Sequence, residues 1–286
     1  MRTSASASGD ETRPPAVMVH GLGGQSTNWT DLMAELHGEV DAWAPDLPGF
    51  GWSPPPDDGD YSIAGDADVV CGLLEQVHAQ RGEAVHLFGN SMGGAISVVA
   101  AARRPDLVAS LTLISPALPD LRPRRDTMGV PLVALPGVGR RVFERLAQVP
   151  AERQVAGMVA LNYGDAGSVS EQRRAEAVVE VERRLQLPYA GDALSGASRS
   201  LLRSFLDPGP NGLWSLAGRV TTSTLVIYGG RDRLVDARRS RIAARHMPRA
   251  QIVTLPLVGH VAQMEDPALV ARLVRPLVSG RRTPTS

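Results

Sequence analysis

The sequence of 286 residues contains no lysine, so all 30 of its basic residues are arginine. Mechanisms that need a lysine are therefore excluded, including Schiff-base chemistry with pyridoxal phosphate and the lysine contacts of P-loops and kinases to phosphate. A lysine base is excluded as well, and arginine does not replace it because its guanidinium stays protonated at any working pH. A GC-rich genome accounts for the missing lysine, so its absence narrows the mechanism without indicating a function.

Cysteine is nearly missing too, and the chain has neither a net charge nor a long hydrophobic run. A single Cys71 excludes an intrachain disulfide and any multi-cysteine zinc or iron–sulfur site. The 30 acidic residues balance the 30 basic ones, which argues against a nucleic-acid partner. No run of about 18 apolar residues occurs, and residues 1–15 lack the apolar stretch of a secretory signal. We therefore expect no membrane span and a cytoplasmic location.

Short apolar runs alternate with helical patterns along most of the chain, which favours an α/β fold. Strands are predicted at residues 16–20, 42–46, 84–89, 110–115, 224–229 and 251–256. Helices are predicted at residues 29–36, 63–81, 92–103, 238–246 and 267–278. Strands that are apolar on both faces and separated by helices are typical of a mostly parallel sheet flanked by helices.

One stretch breaks this alternation and predicts an insertion. Residues 117–216 show no strand pattern, but residues 139–148, 152–161, 170–187 and 192–205 read as helices. Apolar residues of this stretch, such as Met158, Phe205 and Trp214, need a surface to pack against. We therefore predict a core made of residues 16–116 and 217–280, a helical cap over 117–216, and flexible tails at 1–15 and 281–286.

A nucleophile is predicted at Ser91. Residues 89–93 read G-N-S-M-G and lie between a predicted strand and a predicted helix, which is the context of a nucleophile elbow. Glycines are needed there because the strand and the helix approach closely. The helix N-terminus beside Ser91 favours developing negative charge.

A serine hydroxyl needs a base, and His260 is the best of six histidines. It follows the last predicted strand, and ligands of open α/β sheets bind at the carboxyl ends of strands. His20 is followed directly by Gly21, and His86 lies within a strand. The remaining histidines fall in or at the ends of helices and are expected at the surface: His37, His78 and His246.

A carboxylate should fix the tautomer of the histidine, and Asp232 is predicted for this role. It follows the strand at 224–229, in a loop at the same edge of the sheet. Asp236 is the alternative, and Asp232 itself could instead cap the next helix. The backbone N–H of Met92 and that of Leu22, with Gly21 next, are predicted to stabilise an oxyanion.

Five motifs together resemble the α/β-hydrolase superfamily: HGLGG at 20–24, DLPGFGWS at 46–53, GNSMGG at 89–94, GGRDRLVD at 229–236 and VGHVAQMEDP at 258–267. The resemblance implies a helical cap at 117–216, a structural Asp46, and a substrate site that includes Gly21, Gly23, Asn90 and Val261. Members of the superfamily usually begin with an antiparallel hairpin. Only about fifteen polar residues precede Ala16 here, so we expect that the first antiparallel strands either are missing or precede the start of this sequence.

A serine at position 91 narrows the class of reaction within this superfamily. Dehalogenases and epoxide hydrolases of this superfamily carry aspartate at position 91, and the proline peptidases typically have tryptophan where Met92 stands. What remains is hydrolysis of an ester or related acyl bond of a small, largely apolar substrate through an acyl-enzyme on Ser91, with no cofactor and no metal. The oligomeric state stays open.

Two other functions stay open. Asn90, together with Gly259, His260 and Glu265, also resembles the C–C bond hydrolases of aromatic ring cleavage, although Val261 stands where that group has tryptophan. Three arginines of the cap offer binding groups for a carboxylate: Arg183, Arg184 and Arg203. The less favoured alternative is a ligand-binding member of the fold without turnover.

Overall fold

The computed structural model describes residues 2–3, 12–119, 134–135 and 138–280. Seven strands form one sheet in the order β1-β3-β2-β4-β5-β6-β7. They are β1 Arg2–Thr3, β2 Pro15–Val19, β3 Asp41–Ala44, β4 Val85–Asn90, β5 Val108–Ile114, β6 Ser223–Gly229 and β7 Gln251–Leu255. The six strands from β2 to β7 are parallel to their neighbours, and helices flank them. The predicted α/β class with a mostly parallel sheet is confirmed.

The edge of the sheet differs from the prediction. Arg2–Thr3 pairs antiparallel with β3, although residues 1–15 were expected to form a tail and the first antiparallel strands to be missing or to precede the start of the sequence. An edge strand needs a partner only for its backbone, so a polar dipeptide can form one without an apolar pattern. Residues 4–11 and the predicted tail at 281–286 lie outside the described residues.

Six helices and two 3₁₀ turns of the core connect the strands: the turn Ser26–Trp29, α1 Thr30–Glu35, α2 Ile63–Arg81, α3 Met92–Arg103, the turn Ala237–Arg239, α9 Ser240–His246, α10 Ala262–Glu265 and α11 Pro267–Val278. The Ser62 side chain begins α2 by accepting a hydrogen bond from the N–H of Gly65. Gly82, at φ 72°, ends that helix in the left-handed conformation that glycine adopts without strain. The short helix α10 was not predicted.

Between β5 and β6 the chain forms helices and no described strand. They are α4 Val138–Leu146, α5 Ala151–Asn162, the 3₁₀ turn Ala166–Ser168, α6 Glu171–Leu185, α7 Ala190–Phe205 and α8 Leu213–Arg219. We call this region the insertion; its division from the core as a separate cap domain stays a prediction. The helix α8 was not predicted, because its seven residues are too short for a clear period.

The insertion packs in two different ways. Ala193 and Leu201 of α7, together with Leu213 of α8, belong to the large apolar cluster on one face of the sheet. The helices α5 and α6 instead share a small cluster of their own, built around Val155 and Val181. The other face of the sheet is covered by α1 and α11. One part of the insertion therefore continues the core, and the other part rests on it.

Candidate active site

Ser91 alone makes the turn between β4 and α3. The strand ends at Asn90 and the helix begins at Met92. Ser91 between them has φ 55° and ψ −120°, a backbone conformation that residues other than glycine rarely adopt. Its backbone holds this conformation by donating its N–H to the Ile114 carbonyl at 3.1 Å and accepting the N–H of Ala117 at 2.9 Å. The strained turn lifts the serine side chain to the edge of the sheet.

Two glycines bring neighbouring backbones against this turn. A Cβ on Gly93 would lie 2.3 Å from the Val19 carbonyl oxygen, so α3 begins directly on the end of β2. A Cβ on Gly21 would lie 3.0 Å from the Cβ of Ser91. The glycine-rich loop after β2 therefore borders the serine.

His260 and Asp232 form a buried pair at the same edge. The His260 Nδ1 lies 2.9 Å from the Asp232 Oδ2, and the other carboxylate oxygen accepts the N–H groups of Leu234 at 2.8 Å and Val235 at 2.9 Å. Burial raises the pKa of Asp232, but the charge and the hydrogen bond of His260, together with the N–H of Val235, outweigh burial, so the pKa lies below its ordinary value. An ionised carboxylate at Nδ1 assigns the ring proton to that nitrogen and leaves Nε2 as an acceptor.

The backbone of His260 is held from two sides. Its N–H donates to the Asn162 carbonyl, at the end of α5, over 2.6 Å. Its carbonyl accepts the side-chain amide of Asn90 at 3.1 Å, and the same amide nitrogen donates to the Ile114 carbonyl at 3.0 Å. Asn90 was predicted to bind substrate, and its amide N–H groups are directed to protein carbonyls.

Ser91 and His260 line the same cavity of about 1290 Å³ between the sheet edge and the insertion. Among the described residues, the N–H groups of Leu22 and Met92 donate to no backbone carbonyl. The predicted substrate residues Gly21, Gly23, Asn90 and Val261 and the loop residue Leu22 also line the cavity, whereas the side chain of Met92 is buried beneath it. Apolar side chains make up much of the wall, among them Phe50, Leu118, Phe143, Val159, Phe205, Trp214 and Met264.

The alternatives weighed for acid and base are engaged in other contacts, although Asp236 also lines the cavity. The Asp236 carboxylate accepts the backbone N–H of Arg238 at 3.0 Å and pairs with its guanidinium, so Asp236 caps a helix start. His20 is fully buried and joins two loops, with Nε2 accepting the N–H of Leu47 at 3.0 Å. The Nδ1 of His86 lies 2.7 Å from the Ser110 hydroxyl on the next strand. Neither His20 nor His86 lines the cavity that contains Ser91.

Asp46 fastens the loop after β3. Its two carboxylate oxygens accept the N–H groups of Ser26 at 2.6 Å and Trp52 at 2.9 Å, and its carbonyl accepts the Ser53 hydroxyl. Burial raises the pKa of Asp46, and these backbone donors lower it to below the ordinary value. The arrangement is that of a residue that holds loops, as the sequence predicts.

The three arginines considered for carboxylate binding differ in position. Arg184 lines the cavity, and its Nη1 donates to the Gly23 carbonyl at 2.9 Å. Arg183 lines it too, but its guanidinium is held by Glu180 at 2.7 Å and by the Gly51 carbonyl at 2.6 Å. Arg203 is exposed and outside the cavity. The sequence pattern could not separate them, since all three lie on helical segments of mixed charge.

Within the described part of the chain, no cluster of three or more histidine, cysteine, aspartate or glutamate side chains has a metal-binding arrangement. The helices described there include none that is long and apolar enough to cross a membrane.

Residues 14–267 match the family model of the alpha/beta hydrolase fold, and the chain belongs to this family. It is 32% identical over 275 residues to the dihydrolipoyllysine-residue acetyltransferase component of the acetoin cleaving system of Pseudomonas putida, covering 90% of this chain and 61% of that protein. The chain thus spans less than two thirds of that relative's length.

Two further relatives match over most of their length. The 2-hydroxymuconate semialdehyde hydrolase of Pseudomonas putida is 28% identical over 274 residues, which cover 91% of this chain and 85% of the relative. The structure of a thermophilic esterase from Thermogutta terrifontis superposes with a TM-score of 0.68 at 24% identity, covering 95% of this chain and 92% of the esterase. The esterase shares the fold.

Proposed function

We propose that this chain is a serine hydrolase that cleaves an ester or related acyl bond of a small, largely apolar substrate. Ser91 attacks the carbonyl carbon of the substrate while the Nε2 of His260 takes the hydroxyl proton. The negative oxygen that develops accepts the N–H groups of Leu22 and Met92, which have no other backbone partner among the described residues. His260 then gives its proton to the leaving alcohol, and water hydrolyses the acyl-enzyme by the same steps.

One observation carries this proposal: strained Ser91 and His260, whose Nδ1 is bonded to buried Asp232, line one largely apolar cavity. The carboxylate stabilises the imidazolium that forms when His260 takes the proton, and it keeps Nε2 free to act. The apolar wall favours a substrate with little charge.

Fluorophosphonate labelling tests the proposal. We expect the wild-type chain to be labelled and Ser91→Ala not to be, with Asp232→Asn labelled on the order of 10³- to 10⁴-fold more slowly because the imidazole loses its tautomer control. Asp236→Asn is the matched control and should react at the wild-type rate. If the wild type and Ser91→Ala behave alike, the chain is not a serine hydrolase, and a ligand-binding role without turnover replaces the proposal.

A second candidate is hydrolysis of a C–C bond in a carboxylate-bearing ring-cleavage product. The observation that favours it is Arg184, which lines the cavity and has the Gly23 carbonyl, but no carboxylate, as hydrogen-bond partner in the described part of the chain. Burial lowers the pKa of this guanidinium, so a substrate carboxylate beside it would be stabilised. The similarity to 2-hydroxymuconate semialdehyde hydrolase supports the same candidate.

A substrate panel separates the two candidates. It contains p-nitrophenyl esters of rising chain length and a ring-cleavage dienoate. Turnover of the dienoate without ester hydrolysis would reverse the order of the two functions. For the C–C reaction, Arg184→Gln should raise KM for the dienoate about 10- to 100-fold. Arg203→Gln, on an exposed arginine outside the cavity, should leave KM unchanged.

A further inference from the structure

The loop that carries His260 lies directly against the segment that follows α5 in the insertion. A Cβ on Gly259 would lie 2.4 Å from the backbone nitrogen of Gly164 and 2.5 Å from the Asn162 carbonyl oxygen. A Cβ on Gly164 would lie 2.6 Å from the Leu257 carbonyl oxygen. The two backbones are therefore in contact with no side chain between them, and a shift of one displaces the other.

Glu265 joins these two backbones through one carboxylate. Its Oε2 accepts the N–H of Gly259 at 2.7 Å and the N–H of Gly164 at 3.0 Å. Its Oε1 accepts the N–H of Asp165 at 2.8 Å. Two of these donors belong to the insertion and the third belongs to the residue before His260, so the carboxylate fixes their separation.

Together these contacts hold the His260 peptide on both sides. The N–H of His260 is bonded to the end of α5 through Asn162, and its carbonyl is bonded to Asn90, next to Ser91. The helix α5 also contributes Val155, Val159 and other cavity-lining residues. The position of the imidazole is thus tied to a helix that a substrate in the cavity would touch.

We propose that Glu265 is a positioning residue for His260, which couples the placement of the imidazole to the seating of α5 over the cavity. This inference rests on the proposed function, in which His260 is the base. Glu265 does not reach the reacting atoms; it acts through the Gly259 peptide and through the 164–165 segment. Without its carboxylate, three backbone donors lose their acceptor and the His260 loop is free to shift relative to Ser91 and Asp232.

The test compares three variants. A fluorophosphonate titrates the active sites of each, so that kcat is expressed per functional site. Glu265→Gln keeps the shape of the side chain but replaces one carboxylate oxygen by an NH₂ group, which cannot accept hydrogen bonds from the backbone N–H groups. Gly164→Ala adds a Cβ that pushes the two backbones apart. Both should lower kcat per titrated site about 10- to 100-fold with KM changed less than about 3-fold, because misplacing a catalytic group by an ångström has this effect. Asp31→Asn is the control: it breaks the ion pair to Arg173, another link between insertion and core, and should keep kcat.

Proton NMR of the hydrogen-bonded Nδ1–H of His260, assigned by its absence in His260→Ala, gives a readout that needs no turnover. The resonance should be sharp in the wild type and in Asp31→Asn, and broadened by exchange in Glu265→Gln and Gly164→Ala. If kcat per site and the resonance stay as in the wild type while only the melting temperature falls, Glu265 is merely structural and the inference fails. If the wild type neither labels nor turns over, the proposed function fails, and the resonance still decides the role of Glu265.

Discussion

The two halves of the insertion are attached to the sheet by different forces. The helices α7 and α8 place apolar side chains, including Leu201 and Leu213, into the main core. The helices α5 and α6 rest on the core through point contacts: Arg173 on Asp31, Arg184 on the Gly23 carbonyl, and Glu265 on the 164–165 segment.

Because of this difference, α7 and α8 act as part of the rigid core, whereas α5 and α6 form a part of the cavity wall that single substitutions can shift. Apolar burial is non-directional and scales with area, so α7 and α8 hold a fixed position. Hydrogen bonds and ion pairs act at single points and need defined geometry, so α5 and α6 are seated by a few residues that can be changed singly. We expect substitutions under α7 and α8 to alter stability. Substitutions at the α5–α6 contacts should alter substrate binding, and should alter kcat only where the contact also holds the His260 loop.

The largest effect on stability is expected beside the α7 contact, at Asp66 in the first turn of α2. The N–H of Ile63 in that turn donates to the Ser200 hydroxyl of α7. Burial, with a smaller contribution from Asp60, raises the pKa of Asp66 to about 7. A raised pKa means that the carboxyl stabilises the fold when protonated. That stability is fully present below pH ~4 and is lost as the pH rises through ~7.

Asp66→Asn removes this titration. At pH 8 the variant should exceed the wild type in free energy of unfolding by up to about 4 kcal/mol, and the difference should vanish below pH ~4. Urea unfolding at a series of pH values measures it. Asp68→Asn, on an exposed residue of the same helix, is the control and should show no such pH-dependent difference. A constant difference at all pH values would contradict the assignment.

The next largest effect on stability is expected where α8 packs its apolar side chains into the main core. Leu213 is 2% exposed in the main core, so Leu213→Ala should lower the free energy of unfolding by about 3 kcal/mol. Leu206→Ala, at a leucine that is 67% exposed, should change it by less than about 0.5 kcal/mol. A loss for Leu213→Ala as small as that for Leu206→Ala would mean that α8 is not part of the folded core.

The smallest effect on stability is expected at the point contacts of α6. Arg183 bonds the Gly51 carbonyl and Glu180, and its guanidinium lies 4.4 Å from the ring centre of Trp52. Because the pair is partly exposed, Arg183→Gln should lower stability by less than about 1 kcal/mol. It should raise KM about 3-fold and leave kcat unchanged, since α6 shifts while the buried His260–Asp232 pair does not.

Steady-state kinetics measures this change, and Arg103→Gln is its control. Arg103 is exposed, is paired with Asp68 of α2 and does not line the cavity. A fall in kcat for Arg183→Gln without a change in KM would show that α6 supports the reaction centre rather than the wall.

The parallel strands and the helices on both sides of them follow from local pattern, because their apolar periods are strong and their glycines mark the turns. The pairing of His260 with Asp232 is consistent with the prediction from strand ends, where parallel strands bring their loops together. Two elements could not be predicted from local sequence pattern, each for a physical reason. Arg2–Thr3 pairs with β3 through its backbone, which needs no apolar pattern, and α8 buries Leu213 and Leu216 in a helix too short for a clear period.

Within the site, contacts between residues that are distant in the chain could not be predicted from the sequence. Glu265 was noted as part of a motif, but its partners at Gly164 and Asp165 lie about a hundred residues earlier in the chain. Arg183 and Arg184 are adjacent, and only the seating of α6 decides that one is neutralised by Glu180 and the other borders Gly23. Such contacts depend on tertiary packing, which local periodicity does not encode.

The left-handed backbone of Ser91 sets stability against activity. A residue other than glycine at φ 55° and ψ −120° raises the free energy of the folded state by about 1–3 kcal/mol. Glycine would relieve this strain at the cost of a more flexible unfolded chain, so selection for thermal tolerance alone would favour Ser91→Gly. Under the proposed function, the serine at this position supplies the nucleophile at the expense of folding stability.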